Sequence, residues 1–213
     1  LVPVIVSILL NEIRSNAFRR ISQTLIYLPH FLSWIILAGI MIDLLSPNGG
    51  LVNRFLGLFG AEPIFFLGSN KWFRFTLVFT DVWKEFGFGT IVYLAAITNI
   101  DPTQYEAATI DGANRFQRIM HVTLPNMRMI IVLMMVLSLG NVLNAGFDQV
   151  YNMYSEAVYP TGDILDTFIY RLSFKNGLWG QSAAVSMFKS VVSTLFISVS
   201  YLCAYKFADY RVF

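Results

Sequence analysis

The length of the uncharged apolar runs is the feature that most constrains this fold. Ile21 to Ile42 contains no Asp, Glu, Lys or Arg, and neither does Met129 to Phe147. A bilayer core about 30 Å thick is crossed by about 20 helical residues, and only internally bonded structures such as helices satisfy backbone groups in lipid. The chain is 56% hydrophobic and 13% charged, against about 25% charge in soluble domains. The sequence therefore predicts an all-α integral membrane protein.

Three further segments complete the predicted set of spans. Ser190 to Tyr205 is short, and Lys189 and Lys206 are expected to snorkel from its ends. Phe73 to Ile100 is long enough, although charges interrupt it, and Leu1 to Asn11 reads as the tail of a helix already under way. Because the sequence opens without Met, we expect N-terminal residues, including at least one span, to be missing from it.

Pro29 lies inside the first long run, where a proline is expected to kink the helix. His30 beside it is expected to be a packing residue with a hydrogen-bond partner rather than a ligand. In the loops outside the spans, "NRFLGLFG" after Gly50 predicts a short interfacial helix, and the apolar spacing after Gly162 predicts another helix.

The predicted spans place the loops on alternating sides, and basic residues are more numerous on one of them. That side carries the loop Glu12 to Arg20, the loop Asp101 to Arg128 and the C-terminus. Basic residues favour the cytoplasm, which makes this the predicted cytoplasmic side. Its basic residues are Arg14, Arg19, Arg20, Arg115, Arg118, Arg128, Lys206 and Arg211, against Arg54, Lys71, Arg74, Arg171 and Lys175 opposite.

The loop from Asp101 carries the signals of a helix start. Asp101 is a suitable N-cap, Pro102 suits the first helical position, and Gln104 stands where a capping-box residue would. The pattern predicts one helix from Pro102 to Phe116, about 22 Å long. The expected end of this segment is Leu124-Pro125, after which the next span begins.

One face of that predicted helix contains a glycine, Gly112, in the middle of the helix. Such a glycine costs about 1 kcal/mol relative to alanine, and a small residue there suits a surface that another protein approaches closely. A surface helix lying on the membrane is the simpler interpretation of the same pattern. The face consists of Tyr105, Ala108, Gly112, Phe116 and Ile119.

The spacing in this loop is more specific than amphipathicity. Glu106-Ala107-Ala108 is followed after three residues by Gly112, after nine more by Val122, and after one more by Leu124-Pro125. This pattern resembles the EAA loop of binding-protein-dependent ABC importer permeases, with Val122 where Ile is usual. Asp111 and Ala113 beside the glycine are similar to the sugar-importing branch.

The resemblance extends over essentially the whole chain. Several segments resemble permeases of the oligosaccharide and polysaccharide class, including alginate importers and lipopolysaccharide-type sugar permeases. The segments that carry it are "NEIRS", "YLPHFLSW", "WKEFGFGTIVYLAAI", "FDQVYNMY" and "GDILDTFIYR". It implies a MetI-like helical bundle of about five to six spans, with residues 1–213 as one permease domain and 101–125 as its cytoplasmic coupling-helix loop.

The resemblance also implies partners and a location. A second homologous permease, giving a heterodimer, two ATPase subunits and an extracytoplasmic solute-binding protein would assemble in the bacterial cytoplasmic (inner) membrane. No cofactor is expected on this chain, because it lacks a Walker loop; ATP and Mg would bind the partner ATPase. No catalytic residue, metal site or nucleic-acid partner is expected. The residues implied in ATPase coupling are Tyr105, Glu106, Ala107, Ala108, Asp111, Gly112, Ala113, Phe116, Leu124 and Pro125.

The substrate pathway is predicted from polar residues inside spans. Asn141 and Asn144 are three residues apart, which would put them on one helix face beside Gly140 and Gly146, where the helix could unwind locally. These two and Tyr93 are the predicted sugar contacts. Hydrogen bonds between spans explain the asparagines equally well.

Three charges lie within one predicted span, and ionisable residues inside a membrane are functional candidates. Asp81 and Lys84 could pair on one helix face, whereas Lys84 and Glu85 are adjacent and are expected to point apart, leaving Glu85 to find a partner elsewhere. They could hold permease subunits together or act in a gate.

Two other classes of protein remain open. An integral membrane enzyme would use Asp81, Glu85, Asp163 and Asp166 as acids or metal ligands, although helix capping explains the last two equally well. An ion-driven secondary transporter would use Glu85. An enzyme predicts product formation without ATP, a secondary transporter predicts dependence on an ion gradient, and a permease predicts dependence on an ATPase and a binding protein.

Overall fold

The computed structural model describes residues 1–140 and 142–208, without the side chains of 203–208, and the regular elements of this part are all helical. The longer helices are α1 (Val2–Asn11), α2 (Asn16–Tyr27), α3 (Trp34–Leu45), α5 (Phe73–Thr98), α6 (Pro102–Ile110), α8 (Leu124–Gly140) and α12 (Trp179–Ala208). The shorter ones are α4 (Leu51–Gly57), α7 (Arg115–Arg118), α9 (Phe147–Met153), α10 (Tyr159–Gly162) and α11 (Leu165–Tyr170). The 3₁₀ turns are Leu28–Phe31 and Glu156–Val158, and the π-helical turns are Ile119–Thr123 and Arg171–Lys175.

The chain divides into two compact units. The first comprises residues 1–30, 84–140 and the described residues from 196 onward, and the second comprises residues 31–83 and 141–195, of which 141 is not described. Two long helices, α5 and α12, therefore contribute residues to both units.

The first unit has an apolar core built on α1, α5 and α8. Val4, Tyr93, Ile97 and Met127 are its buried members, and Met127 is fully buried. The backbones of α2 and α5 also approach closely, because a Cβ added at Gly87 would lie 1.9 Å from the carbonyl oxygen of Ile26. Only glycine allows this approach.

The second unit packs α3 against α9 around Leu37, Phe73 and Val158, which are 0–1% exposed. The turn after α3 is fixed by one buried side chain, Asn53. Its amide Nδ2 donates to the carbonyls of Leu45, Ser46 and Ile64, and its Oδ1 accepts from the Ile64 N–H. A buried amide with its hydrogen bonds satisfied carries little desolvation penalty.

Two of the described helices are long and apolar enough to cross a membrane, Arg115–Leu139 and Trp179–Leu202, and a third span results if α2 and α3 form one broken span. The predicted span Ile21 to Ile42 is thus interrupted. The chain makes a 3₁₀ turn at Leu28–Phe31, and Ser33 then caps α3 by accepting from the Ile36 N–H. The predicted kink at Pro29 is a full break of the α-helix.

The other predicted spans differ mainly in their ends. The run predicted from Phe73 to Ile100 is helical as α5 (Phe73–Thr98), but α5 is not among the described helices that are apolar enough to cross a membrane. The helix predicted over Met129 to Phe147 begins earlier and ends at Gly140. The last helix begins at Trp179, which places Lys189 in its interior. The prediction that Lys189 snorkels from a helix end is therefore wrong. Lys206 lies among the residues whose side chains are not described.

Candidate coupling segment and polar cavities

The coupling segment, residues 101–125, begins as the sequence predicts. The Asp101 carboxylate accepts a hydrogen bond from the Thr103 N–H at 2.9 Å, and Pro102 occupies the first turn of α6. This N–H bond lowers the pKa of Asp101 below its ordinary value, since it stabilises the ionised form. The predicted role of Gln104 is wrong, because its Oε1 accepts from Asn126 Nδ2 at 2.8 Å.

Gly112 ends α6 instead of lying in mid-helix. Its φ is +76°, a left-handed conformation that side chains with a Cβ rarely adopt. The Gly112 N–H donates to the Thr109 carbonyl and the Ala113 N–H to the Ala108 carbonyl, which is the Schellman pattern of a helix C-terminus. The single helix predicted from Pro102 to Phe116 is therefore two helices. No described atom lies within 4 Å of a Cβ added at Gly112, so its role within this chain is conformational.

Asn114 starts the next helix with a capping box. Its Oδ1 accepts from the Gln117 N–H at 2.9 Å, and Gln117 Oε1 accepts from the Asn114 N–H at 2.8 Å. The helix that follows runs without a break from Arg115 to Leu139. The second half of the coupling segment is thus the beginning of a candidate membrane span.

Pro125 does not stop this helix, contrary to prediction. It lies in the first turn of α8, directly after the π-helical turn Ile119–Thr123. Proline lacks an N–H and crowds the carbonyl of the preceding turn. The Leu124 N–H donates to the Ile119 carbonyl, a separation of five residues, and this wider turn lets the helix continue around the proline.

Two side-chain contacts tie α6 to α7 and to the π-helical turn that precedes α8. The Tyr105 hydroxyl and Thr123 Oγ1 are 2.9 Å apart, and Thr123 is 2% exposed. Arg118 Nη1 donates to Thr109 Oγ1 at 3.2 Å. Tyr105 and Ala108, predicted to share one presented face with Gly112 and Phe116, are half-buried against their own chain.

The face left exposed by α6 and α7 combines a carboxylate with large apolar side chains. Glu106 is exposed, Ile110 is 86% exposed and Phe116 is 70% exposed. Beside them lies an open cavity of about 520 Å³, lined by Tyr105, Glu106, Thr109, Ile110 and Arg118. Sequence reasoning missed Ile110; the signal was an isoleucine one residue before the Asp111-Gly112 helix end.

The charges of α5 in the first unit form a compact cluster with His30. Glu85 Oε2 lies 2.8 Å from His30 Nδ1, and Glu85 Oε1 accepts from Lys84 Nζ at 2.9 Å. Lys84 also donates to the His30 carbonyl at 3.0 Å, and the His30 ring stacks on Phe88 with centroids 4.0 Å apart. The expectation that Lys84 and Glu85 point apart is wrong, because a lysine side chain is long enough to return to its neighbour. His30 has a partner, as predicted, while an Asp81–Lys84 pair stays a prediction.

The predicted substrate residues fall in different places. Asn144 and Asp81 both line an open cavity of about 510 Å³ in the second unit, together with Arg74 and Asp163. Asn144 does not lie on a helix, because residues 142–146 between α8 and α9 are turn or irregular, and Gly146 has a φ of +70°. The helix-face argument for the two asparagines is therefore wrong.

Of the other two predicted sugar contacts, only Tyr93 belongs to the part of the chain that the structure describes. Asn141 lies outside the described residues. Tyr93 is 8% exposed and belongs to the core of the first unit, beside Val4 and Met127. Both stay predictions.

Two aspartates of the second unit are held in ion pairs. Arg171 donates to Asp163 through Nη1 at 2.8 Å and through Nη2 at 2.5 Å, and Thr167 Oγ1 donates to Asp163 at 2.7 Å. Burial opposes ionisation of Asp163, but these hydrogen bonds and the charge of Arg171 outweigh it, so the pKa of Asp163 lies below its ordinary value. Lys189 Nζ donates to Asp166 at 2.6 Å. Each aspartate is thus engaged in an ion pair with a basic side chain. This pairing gives no support to the alternative in which the two aspartates are catalytic acids or metal ligands.

Comparison with known proteins agrees with this arrangement. The chain is 39% identical over its full length to the polygalacturonan/rhamnogalacturonan transport system permease protein YteP of Bacillus subtilis (strain 168), and 41% identical over 99% of its length to the protein LplB of the same organism. It covers 66% of each of these relatives, so it spans slightly less than two thirds of their length.

A solved structure shows the same fold. A crystal structure of a bacterial ABC transporter involved in the import of the acidic polysaccharide alginate superposes with a TM-score of 0.93 at 36% identity, covering 97% of this chain and 72% of that one. A second structure of a bacterial alginate ABC transporter, in complex with an alginate pentasaccharide-bound periplasmic protein, superposes with a TM-score of 0.92.

The helical arrangement and the solved structures define the class of the fold, a MetI-like helical bundle of the ABC transporter permeases. Residues 1–212 match the family of binding-protein-dependent transport system inner membrane components. The chain belongs to that family, which places it in the inner membrane.

Proposed function

We propose that this chain is the permease subunit of an ATP-driven importer that carries an oligosaccharide or polysaccharide across the cytoplasmic membrane. The observation that carries the proposal is the coupling segment. An exposed, locally capped α6 is bonded to the base of a helix that continues unbroken into a candidate span. A force applied to α6 and α7 is therefore applied directly to a membrane helix.

The exposed surface of that segment supports a docking site for a partner ATPase. A partner ATPase docks on Glu106, Ile110 and Phe116, and it supplies the sites for ATP and Mg. Exposed apolar side chains next to a charge are typical of protein interfaces. A second permease subunit pairs with this chain, and an extracytoplasmic solute-binding protein delivers the sugar.

Transport proceeds by alternating access. Closure of the ATPase dimer moves α6, and the attached helices rock between inward-open and outward-open states, a rigid-body transition between two packed arrangements. No covalent bond changes within this chain. The sugar class is proposed from a relative named for polygalacturonan/rhamnogalacturonan transport, from a solved structure of an importer of the acidic polysaccharide alginate, and from the polar cavities of the second unit.

The test is purification of the full-length protein from its native membrane in mild detergent, followed by mass spectrometry of what remains bound. We expect a second permease and an ATPase in stoichiometric amounts. Ile110→Asp and Phe116→Asp should each release the ATPase, whereas Leu58→Asp, an 81% exposed apolar residue outside the coupling segment, should retain it. Reproducible recovery of the protein alone, or equal ATPase retention in all three variants, would overturn the proposal.

A further inference from the structure

A polar face crosses the interior of α12, although this helix is apolar enough to span a membrane. Its members stand at positions i, i+3, i+4 and i+7, which one side of a helix presents together: Ser186, Lys189, Ser190 and Ser193. Away from this face, Met187 is 71% exposed and Val191 is 59% exposed, as suits contact with lipid.

Lys189 is the charge on that face. Its Nζ lies 2.6 Å from Asp166 Oδ1, and the two side chains are 16% and 25% exposed. A charge in the middle of a span faces protein or a water-filled cavity, because lipid cannot solvate it. The ammonium has three N–H donors, and Asp166 takes one of them among the described residues.

An open cavity of about 470 Å³ lies against this face, within the range of roughly 300–1,000 Å³ typical of ligand sites. Its lining consists of Asn144, Asp166, Ile169, Ser186, Lys189, Ser190 and Ser193. Hydroxyls, an amide, a carboxylate and an ammonium supply both donors and acceptors, which is the set that sugar hydroxyls require. Asn144 also lines the 510 Å³ cavity of the same unit, so one side chain borders both.

We propose that this cavity is a subsite for a uronate-bearing oligosaccharide during transport, with Lys189 binding a sugar carboxylate and the α12 serines binding ring hydroxyls. The inference rests on the proposed importer function and names a substrate chemistry for it. In the empty state Asp166 holds the Lys189 ammonium in position. When sugar enters, the carboxylate takes a second N–H of the same ammonium.

The presence of Asp166 limits how tightly this subsite binds. Two carboxylates around one ammonium repel each other, so the sugar carboxylate gains less than a full ion pair. Conduction needs sites that are favourable enough to enter and weak enough to leave. A lysine shared with an aspartate meets both conditions, whereas an unshared lysine would trap an acidic sugar.

A purely structural role makes a different prediction. If the pair only joins α11 to α12, exchanging the two residues should preserve its function. The double variant Asp166→Lys with Lys189→Asp keeps one base and one acid at the same contact. It presents the base from α11 instead of from the serine face.

The experiment uses the complete importer, with its partner subunits and binding protein, reconstituted in liposomes. The probes are oligogalacturonate and oligomannuronate, each beside its carboxyl-reduced neutral counterpart. We expect Lys189→Gln to raise the KM for the acidic probe roughly tenfold without a comparable change for the neutral one, and the exchanged double variant not to restore it. Restoration of the wild-type KM by the exchange would overturn the subsite, as would wild-type uptake of neutral probes only.

A second pair of variants covers the case in which Lys189 variants fail to assemble. Ser193→Ala removes a cavity hydroxyl, and Thr194→Val removes a hydroxyl that bonds the Ser190 carbonyl within the same helix. We expect a KM increase for the acidic probe in the first and none in the second; equal effects would contradict the proposal. Absence of ATP-dependent uptake of every probe by the wild type would instead overturn the importer function itself.

Discussion

The coupling segment and the polar cavities of the second unit are built from hydrogen bonds of different sequence range. The Asp101 and Asn114 caps close over two and three residues, and the Tyr105–Thr123 contact over eighteen. In the second unit, Gln149 bonds Thr80 across 69 residues and Arg74 bonds the Thr161 carbonyl across 87. The segment proposed to dock the ATPase is thus specified by local contacts, while the cavities exist only once distant elements have packed. Mutations should therefore act on docking in the first region and on the fold in the second.

The largest effect is expected from breaking the Asp163–Arg171 pair. Asp163→Asn leaves the half-buried guanidinium without its carboxylate, which should destabilise the protein by about 2 kcal/mol. Thermal unfolding in detergent, followed by tryptophan fluorescence, measures this as a lower Tm. Asp148→Asn alters an exposed side chain and should change the stability by no more than about 0.5 kcal/mol. Equal Tm shifts would show that the Asp163–Arg171 pair does not hold this unit.

A smaller and different effect is expected at Gly112. Gly112→Val forces a β-branched residue into the left-handed region, at a cost of about 1–2 kcal/mol that should reorient α6 relative to α7. We expect weaker ATPase co-purification with little change in Tm. Gly112→Asn is the matched control, because asparagine tolerates this conformation better. Uptake in Gly112→Val equal to wild type would remove Gly112 from the coupling mechanism.

The hydrogen bond between Tyr105 and Thr123 spans eighteen residues, between the range of the local caps and that of the contacts in the second unit. Its removal tests whether the caps alone position α6. Thr123→Val keeps the shape of the buried side chain but leaves the tyrosine hydroxyl without this partner, at a cost of about 1 kcal/mol. ATP hydrolysis should become less dependent on sugar delivery as α6 loosens from the π-helical turn before α8. Thr123→Ser retains the hydroxyl and should behave as wild type. Tight coupling in both variants would show that the caps alone fix α6.

The smallest effect is expected from pH. The folded pKa of Asp163 is lowered, so its contribution is complete above the unfolded value of about 3.9 and is lost as pH falls toward the folded pKa. The Tm of the wild type relative to Asp163→Asn should therefore stay constant from pH 7 to about 5 and converge below about 4. Convergence already near neutral pH would contradict a lowered pKa.

The sequence separation of the bonded residues also explains which features could be predicted from the sequence. The Asp101 cap, α5 and the helical fold followed from local patterns and span length. The Gly112 break was missed because the face through Tyr105 and Phe116 also fits one continuous helix. The capping box of Asn114 was visible in principle, since Gln117 stands three residues later.

The cavities could not be predicted in this way. The lining of the 470 Å³ cavity joins Asn144, Asp166 and α12, and no periodicity connects residues on separate elements. The interior position of Lys189 depended on where α12 begins, and helix boundaries are set by packing as well as by local signals. The uncharged run between Lys189 and Lys206 therefore predicted a start at Ser190, whereas α12 begins at Trp179.

The π-helical turn at Ile119–Thr123 has a consequence for the direction in which α8 faces. From Arg115 to Leu139 the helix extends over 25 residues, about 37 Å at the rise of an α-helix. One residue added within a turn advances every later side chain by about 100° around the axis. The π-helical turn Ile119–Thr123 thus sets the direction that the apolar residues of α8 face, independently of the orientation of α7. A single deletion in this turn would leave both ends helical and turn one against the other.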